Sequence, residues 1–379
     1  MSLSFSFHKS IHDFTADQWD LITPADFPFW DYEFLSSLEQ SHTIGERTGW
    51  YPCFVVAKQN GEIQGSLPLY IKTNSYGEYI FDWQWAEAYA HSGIPYYPKL
   101  VSAVPFTPAN GPKILLRKDC EQNHVAEGLI AQALKLMRRQ NFSSLHSLFL
   151  ADWEAPLWQA QGLKLRTSYQ YHWLNEGYRD FADFLSQLKG KRRRQILRER
   201  QQVSDAGLNL KRLSGEQLQA EHGSLFYQFY LQTIDKKSAI PYLTEDFFKL
   251  AVSRMRDRCL LILAKNKSEQ LVAASLSFLK GKVIYGRYWG CIDHYPSLHF
   301  ELCYYQLIEH AIQTQMVKVE AGAQGEHKIQ RGFRPTRMLS AHAIADARFQ
   351  LAIDRYIDEE EKLVEAHLEQ DARHLPFRS

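Results

Sequence analysis

Gly77-Glu78-Tyr79-Ile80-Phe81, running on to Trp85, is answered 204 residues later by Gly281-Lys282-Val283-Ile284-Tyr285, running on to Trp289. Each copy follows a hairpin-like segment that begins Ala-Lys, Ala57-Lys58 in the first and Ala264-Lys265 in the second. Self-similarity at one spacing marks a structural unit used twice. Around the first copy, Tyr51 to Ala57 and Ile63 to Lys72 read as strands. Gln59-Asn60-Gly61 joins them, because Asn-Gly supplies the positive φ of a tight hairpin. Tyr79 to Trp85 reads as the third strand. Val125, Leu129, Ala133, Leu136 and Met137 recur at helical spacing, Ser144 to Leu150 is the next strand, and Gly162 to Leu174 the last. The second copy repeats the order: a hairpin from Leu260 to Leu279, a strand from Val283 to Trp289, a helix face on Leu298, Leu302, Tyr305, Ile308 and Ile312, then strands Val317 to Ala321 and Gly332 to Ile344.

The closing segments also match, but at another spacing. Gly162-Leu163-Lys164 precedes His172 by ten residues, and Gly332-Phe333-Arg334 precedes His342 by ten, an offset of 170. The difference between the two offsets predicts extra chain in the first copy, about residues 90–123, rich in Pro and aromatic residues. Long insertions of this kind serve as covers or binding loops; a packed structural excursion is the other reading.

Composition narrows the function classes. The 379 residues carry 44 Lys and Arg against 43 Asp and Glu, so no global field points to nucleic acid or a membrane surface. No 18-residue apolar run exists, so no integral membrane contact is expected. Met1 to Asp20 is charged and does not read as a signal peptide. The five cysteines are scattered without a C-x-x-C pair, which predicts a reduced, cytoplasmic protein with no metal site.

Three antiparallel strands, a helix, a strand and a closing strand make an α+β unit with an α/β crossover inside it, a mixed sheet flanked by helices. This order resembles the acetyltransferase-like (GNAT, acyl-CoA N-acyltransferase) lobe. Two such lobes in tandem, divided here as 1–178 and 179–379, resemble the Fem-type aminoacyltransferases of peptidoglycan cross-bridge synthesis. The second lobe would open with a basic helix at 189–203 and close with a C-terminal helix. Gly77-Glu78-Tyr79-Ile80-Phe81-Asp82, Tyr96-Tyr97-Pro98-Lys99-Leu100 with Pro105-Phe106-Thr107-Pro108, and Gly325-Glu326-His327-Lys328 with Arg331-Gly332-Phe333 are similar to the FemAB-like N-acyltransferases. The resemblance implies transfer of an acyl or aminoacyl group to a primary amine, with no cofactor required beyond the donor, aminoacyl-tRNA or acyl-CoA. Enzymes using CoA carry a Gly-rich loop whose N–H groups meet the pyrophosphate. The equivalent Asp293-His294-Tyr295-Pro296-Ser297-Leu298-His299-Phe300 has no glycine, so CoA binding is not expected.

The polar run Gly322 to Arg331 follows an apolar strand directly, and ligands favour the carboxyl ends of strands in open sheets. Amine acylation needs a base for the amine and donors for the oxyanion. Glu326 or His327 could take the proton; Lys328 or Arg331 could hold the oxyanion or a phosphate. The first copy has Asp152-Trp153-Glu154 there and lacks the acid–imidazole–amine run. His172 and His342 sit at matched places, which favours a structural role. Asp82, Tyr97 and Lys99 would line a cleft under the insertion. Arg192 and Arg193, in the basic run Lys189 to Arg200, would bind phosphate of tRNA or of a nucleotide-linked precursor. Two competing functions remain from the sequence: a non-catalytic module recognising a cell-wall precursor or RNA, and a CoA-dependent N-acetyltransferase.

Overall fold

The computed structural model of the chain describes residues 3–322 and 325–378. Its first half contains β1 (Ser4–His8), α1 (Ala16–Asp20), α2 (Tyr32–Gln40), β2 (Trp50–Pro52), β3 (Phe54–Gln59), β4 (Glu62–Leu67), β5 (Tyr70–Lys72), α3 (Trp83–His91), β6 (Lys99–Ser102), β7 (Leu115–Leu116), α4 (Gln122–Arg139), β8 (Ser144–Leu150), α5 (Ala155–Ala160) and β9 (Lys164–Leu174). The second half contains α6 (Phe181–Ser186), α7 (Gly190–Asp205), β10 (Asn209–Ser214), α8 (Ala220–Lys236), α9 (Glu245–Arg254), β11 (Cys259–Lys265), β12 (Leu271–Lys280), β13 (Val283–Cys291), α10 (Leu298–Phe300), a π-helical segment (Glu301–Tyr305), α11 (Gln306–Gln313), β14 (Lys318–Glu320), β15 (Arg334–Ile344) and α12 (Ala347–Arg373).

The chain forms two compact units. Unit 1 is Met1–Tyr169 with Arg337–His367; unit 2 is Gln170–Thr336 with Leu368–Ser379. The sequence division at 178 and 179 gives each half its own closing strand and puts the C-terminal helix in the second lobe. Instead, the end of β15 and most of α12 belong to unit 1, and the end of β9 belongs to unit 2. The matched closing segments have traded places, so His342 sits opposite His146 of β8 and His172 sits opposite Glu320 of β14.

In unit 1, β6 pairs antiparallel with β5 and parallel with β8, and β8 pairs antiparallel with the end of β15. Parallel neighbours require a crossover, and α4 supplies it. Its buried stripe, Val125, Leu129, Ile130, Ala133 and Met137, joins a core with Val55, Leu67, Leu100, Leu145 and Leu150. All seven residues of β8 are buried, as a central strand covered on both faces requires. A smaller sheet runs β1-β3-β4-β7. The β3–β4 hairpin turns on Asn60 (φ 53°) and Gly61 (φ 84°), the left-handed pair a two-residue hairpin needs.

The opening repeat is not a repeat of structure. Val283–Cys291 is a strand, but 77–85 is not. Gly77 (φ 79°) and Tyr79 (φ 63°) are left-handed, and Asp82 leads into helix α3. The counterpart of β13 in unit 1 is β6, which has the same antiparallel and parallel neighbours. The segment expected as an insertion covering a cleft therefore contains the lobe's own central strand, buried along its whole length. Glu78, Ile80 and Asp82 are buried, while Tyr79, Phe81 and Trp83 are exposed. The match to Gly281–Trp289, on which the strand expectation rests, is a likeness of sequence alone.

In unit 2 the strands run β10-β11-β12-β13-β14, with the end of β9 paired antiparallel to β14. Helix α8 lies so close to β13 that a Cβ on Gly290 would fall 1.8 Å from the Phe229 carbonyl oxygen. Thr233 and Lys236 of the same helix donate to the carbonyls flanking Gly290, those of Trp289 and Cys291, both at 2.6 Å. Backbone atoms fixed on both sides cannot yield as a side chain would. Gly290→Ala is therefore expected to destabilise unit 2 by at least about 1–3 kcal/mol, the usual range for overpacking. A urea melt showing wild-type stability would refute this close approach.

Candidate functional site

In unit 2, the turn after β14 carries the polar run singled out in the sequence; Ala323 and Gln324 of that run lie outside the described residues. Gly325 (φ 117°) opens a 3-10 helix, Glu326–Arg331, and Gly332 (φ 90°) closes it. Gly325 is favoured by its backbone and by its surroundings. Its φ disfavours any side chain, and a Cβ there would lie 2.4 Å from the His327 ring. Glu326 and His327 are exposed, whereas Lys328 and Arg331 are buried.

The π-helical segment Glu301–Tyr305 explains how two adjacent tyrosines both reach this turn. Local π geometry reorients successive side chains and recurs at functional sites. Tyr304 Oη lies 2.9 Å from His327 Nε2. Tyr305 Oη donates to Glu199 of α7 and accepts from Arg331 Nε at 2.9 Å. Arg331 also donates to both Glu199 oxygens and to the His327 carbonyl, and its guanidinium stacks 3.5 Å over Phe300. Fork and ring together fix the guanidinium. Arg331, expected to meet substrate, is thus committed to holding the turn against α7.

The local electrostatics favour neutral bases. Burial, reinforced by the positive charge of Lys328 and Arg331, lowers His299 to about 4. The His327 ring reaches solvent but is partly desolvated, and that, then Arg331 and Lys328, lowers it as well. Burial, then the Arg287 charge, lowers the Lys328 amine to about 7; its Nζ donates to the Gly322 carbonyl at 2.8 Å. In a lone, solvated turn these groups would titrate normally; here desolvation dominates.

Helix α7 divides its charges. Glu199 faces Arg331, and Arg200 pairs with Glu301 and Glu309. Arg192 is half-buried and donates to Gln330 at 3.0 Å. Arg193 and its neighbours Lys191, Arg194 and Arg198 form no ion pair with another described residue.

Asp82, Tyr97 and Lys99 meet in unit 1, but not in an open cleft. Lys99 is fully buried and spends its three protons on Asp82, Glu78 Oε2 (2.9 Å) and Ser75 Oγ (2.9 Å). Tyr97 is half-buried and its hydroxyl lies 2.8 Å from Ser75. Tyr96 donates to Asp82 at 2.6 Å, so its oxygen accepts from His146 Nε2 at 3.0 Å. That assigns His146 as the Nε2–H tautomer, leaving its Nδ1 to accept from His342 Nδ1, 2.8 Å away. Ser340, 2.8 Å from His342 Nε2, closes the chain. Burial alone would raise Asp82, but the charge and hydrogen bond of Lys99 outweigh it and hold the acid at about 2. Burial wins at Glu78, which rises to about 7 against the Lys99 charge. Burial, then Lys99, lowers His146 to about 3, so the imidazole stays neutral. With every Lys99 proton in use, this network fastens the core of unit 1.

The FemAB-like family, described as peptidoglycan biosynthesis/recognition, matches residues 10–379. The chain belongs to this family. No curated protein matches the sequence. Among solved structures, FemX is similar at 10% identity, over 93% of this chain and 100% of its own, with a TM-score of 0.56. The C-terminal domain of a putative lysylphosphatidylglycerol synthetase from Agrobacterium fabrum is similar at 8% identity, over 90% of this chain and 96% of its own, with a TM-score of 0.53. L-PGS from Bacillus licheniformis is similar at 9% identity, over 85% and 95%, with a TM-score of 0.50. At such identities the likeness is one of fold alone, and it accords with the mixed α+β architecture, sheets flanked by helices, that the sequence predicts.

Sequence reasoning missed several residues that build the sites of this FemAB-like protein. Glu199 is the one acid within Lys189 to Arg200, a signal that the basic helix is not uniformly a cation face. Tyr304-Tyr305 lies next to Leu302 on the helix stripe and reads as core. His146 sits in an otherwise Ser/Leu/Phe strand, and a buried polar group of this kind demands partners. Among the described residues no helix is long and apolar enough to cross a membrane, and no group of three His, Cys, Asp or Glu could hold a metal.

Proposed function

We propose that this FemAB-like protein is an N-acyltransferase that moves an acyl or aminoacyl group to a primary amine in peptidoglycan-precursor metabolism. The observation that carries the reading is the set of neutral bases, exposed His327 above all, beside the buried Lys328 amine in unit 2. An acceptor ammonium loses its proton to His327, with Glu326 as the other exposed acceptor on the same turn. The freed nitrogen attacks the donor carbonyl carbon, and the carbonyl pair moves to oxygen. Protonated Lys328 donates to that oxyanion. As the amide forms, the bond to the donor oxygen or sulfur breaks, the leaving group takes the proton held by His327, and the second proton of the nitrogen passes to the freed imidazole and on to solvent. Arg331, Glu199 and Tyr305 are positioning residues, since they act through the turn.

The glycine-free segment Asp293 to Phe300 supports aminoacyl-tRNA over acyl-CoA as donor. The four cations of α7 that form no ion pair with another described residue support tRNA as the partner and also favour a second reading, a module that recognises RNA or a precursor without turnover. A donor-consumption assay separates them. The protein is mixed with radiolabelled aminoacyl-tRNA or acyl-CoA and a muropeptide precursor bearing a free amine. Time-dependent transfer of label from aminoacyl-tRNA is expected. If neither donor is consumed while RNA binds with strong salt dependence, the recognition module replaces the transferase.

A further inference from the structure

We propose that a pocket in unit 1, distinct from the polar turn of unit 2, binds a single-chain anionic amphiphile, with its apolar chain inward and its charged head on three basic residues. The cavity measures about 450 Å³, within the range of small-molecule sites. Cys53, Ile71, Leu136 and Phe142 supply apolar floor and wall, and the largely exposed Phe7 forms the lip. Burial pushes the Cys53 thiol up to about 11, so the floor is uncharged near neutral pH. Lys9, Lys135 and Arg139 stand around this surface, all exposed.

None of the three cations forms an ion pair with another described residue. Lys135 and Arg139 are four residues apart on α4 and so share a face, where like charges repel. The helix C-terminus favours a cation in the last turn. That accounts for Arg139 but not for Lys9, which follows β1 and reaches the same rim. An apolar concavity ringed by uncompensated positive charge complements an anion carrying an apolar chain. A cationic or neutral ligand would leave the rim charges unanswered.

Titration calorimetry on the full chain tests this with decanoate and decyl phosphate, each below its micelle concentration, and decyltrimethylammonium as the charge-reversed control. Saturable 1:1 binding of either anion is expected, and whichever binds more tightly names the head group. The cation should bind at least about tenfold more weakly, a difference of about 1.4 kcal/mol. K135E/R139E, changed only at exposed positions, should lose the anions by a similar factor with an unchanged melting curve. Gln132→Trp, which narrows the pocket without altering charge, should lose both anions. Equal binding of the cation, binding only to anionic vesicles, no binding at all, or unaltered binding in either variant overturns the proposal.

Discussion

Lys99→Met should lower the stability of unit 1 by about 3–5 kcal/mol, the range for removing one partner of a buried ion pair. Lys99 is fully buried with Glu78 and Asp82. Without its charge, two desolvated carboxyls face each other. The sign of the pH effect follows. In the wild type, Asp82 is held at about 2, below its ordinary 3.8. The stability it contributes is present above 3.8 and is lost as pH falls towards 2. In the variant both carboxyls are raised, so the deficit is small below the ordinary carboxylate range and grows as pH rises through it. Urea melts at pH 5 and pH 8 should therefore show the larger loss at pH 8. Adding Glu78→Gln and Asp82→Asn should recover most of the stability, because neutral amides do not need the ammonium. A single variant as stable as wild type at pH 8 would show that the ion cluster does not hold this core.

Lys328→Met is expected to cut the rate of acyl transfer by about 10²–10³, the usual cost of losing an oxyanion donor, while leaving stability near wild type. The two halves of this expectation have one cause. Burial lowers the amine from 10.5 to about 7, so Lys328 adds stability above its unfolded value, and that stability is lost as pH falls through 7. A methionine of similar volume removes this loss. The oxyanion donor must be protonated, so activity should fall as pH rises through about 7. It should also fall on the acid side, where His327 charges, at a pH below the ordinary imidazole value. Lys328→Arg keeps a permanent cation and should remove the alkaline limb while retaining part of the rate. A Lys328→Met enzyme with wild-type kcat, or a Lys328→Arg enzyme that keeps the alkaline limb, would take this residue out of the chemistry.

Much of the scaffold could be read from the sequence because its signals are local. The stripe of α4, the apolar run of β8, the Asn60-Gly61 turn and the β11–β12 hairpin each depend on residues a few positions apart. The polar turn of unit 2 was legible for the same reason: it follows a strand directly, and its glycines set both of its ends. The third strand of unit 1 was not legible. A four-residue strand beginning with a lysine and flanked by prolines carries no strand signal. Lys99 is tolerated in the sheet only because Glu78 and Asp82, distant in sequence, are there to neutralise it. The match of 77–85 to 281–289 offered a false strand, since likeness of residues does not fix which backbones pair.

The sequence by itself determined that the chain has two α+β units, where their hairpins and crossover helices lie, and that one turn gathers an acid, an imidazole and two cations. Tertiary structure decided what those groups can do. It gave Arg331 to Glu199, lowered Lys328 by burial, left His327 exposed, and set His342 against His146 but His172 against Glu320. Periodicity follows from neighbours along the chain. Charge state, and the freedom of a side chain to meet a ligand, follow from desolvation and from partners up to about two hundred residues away.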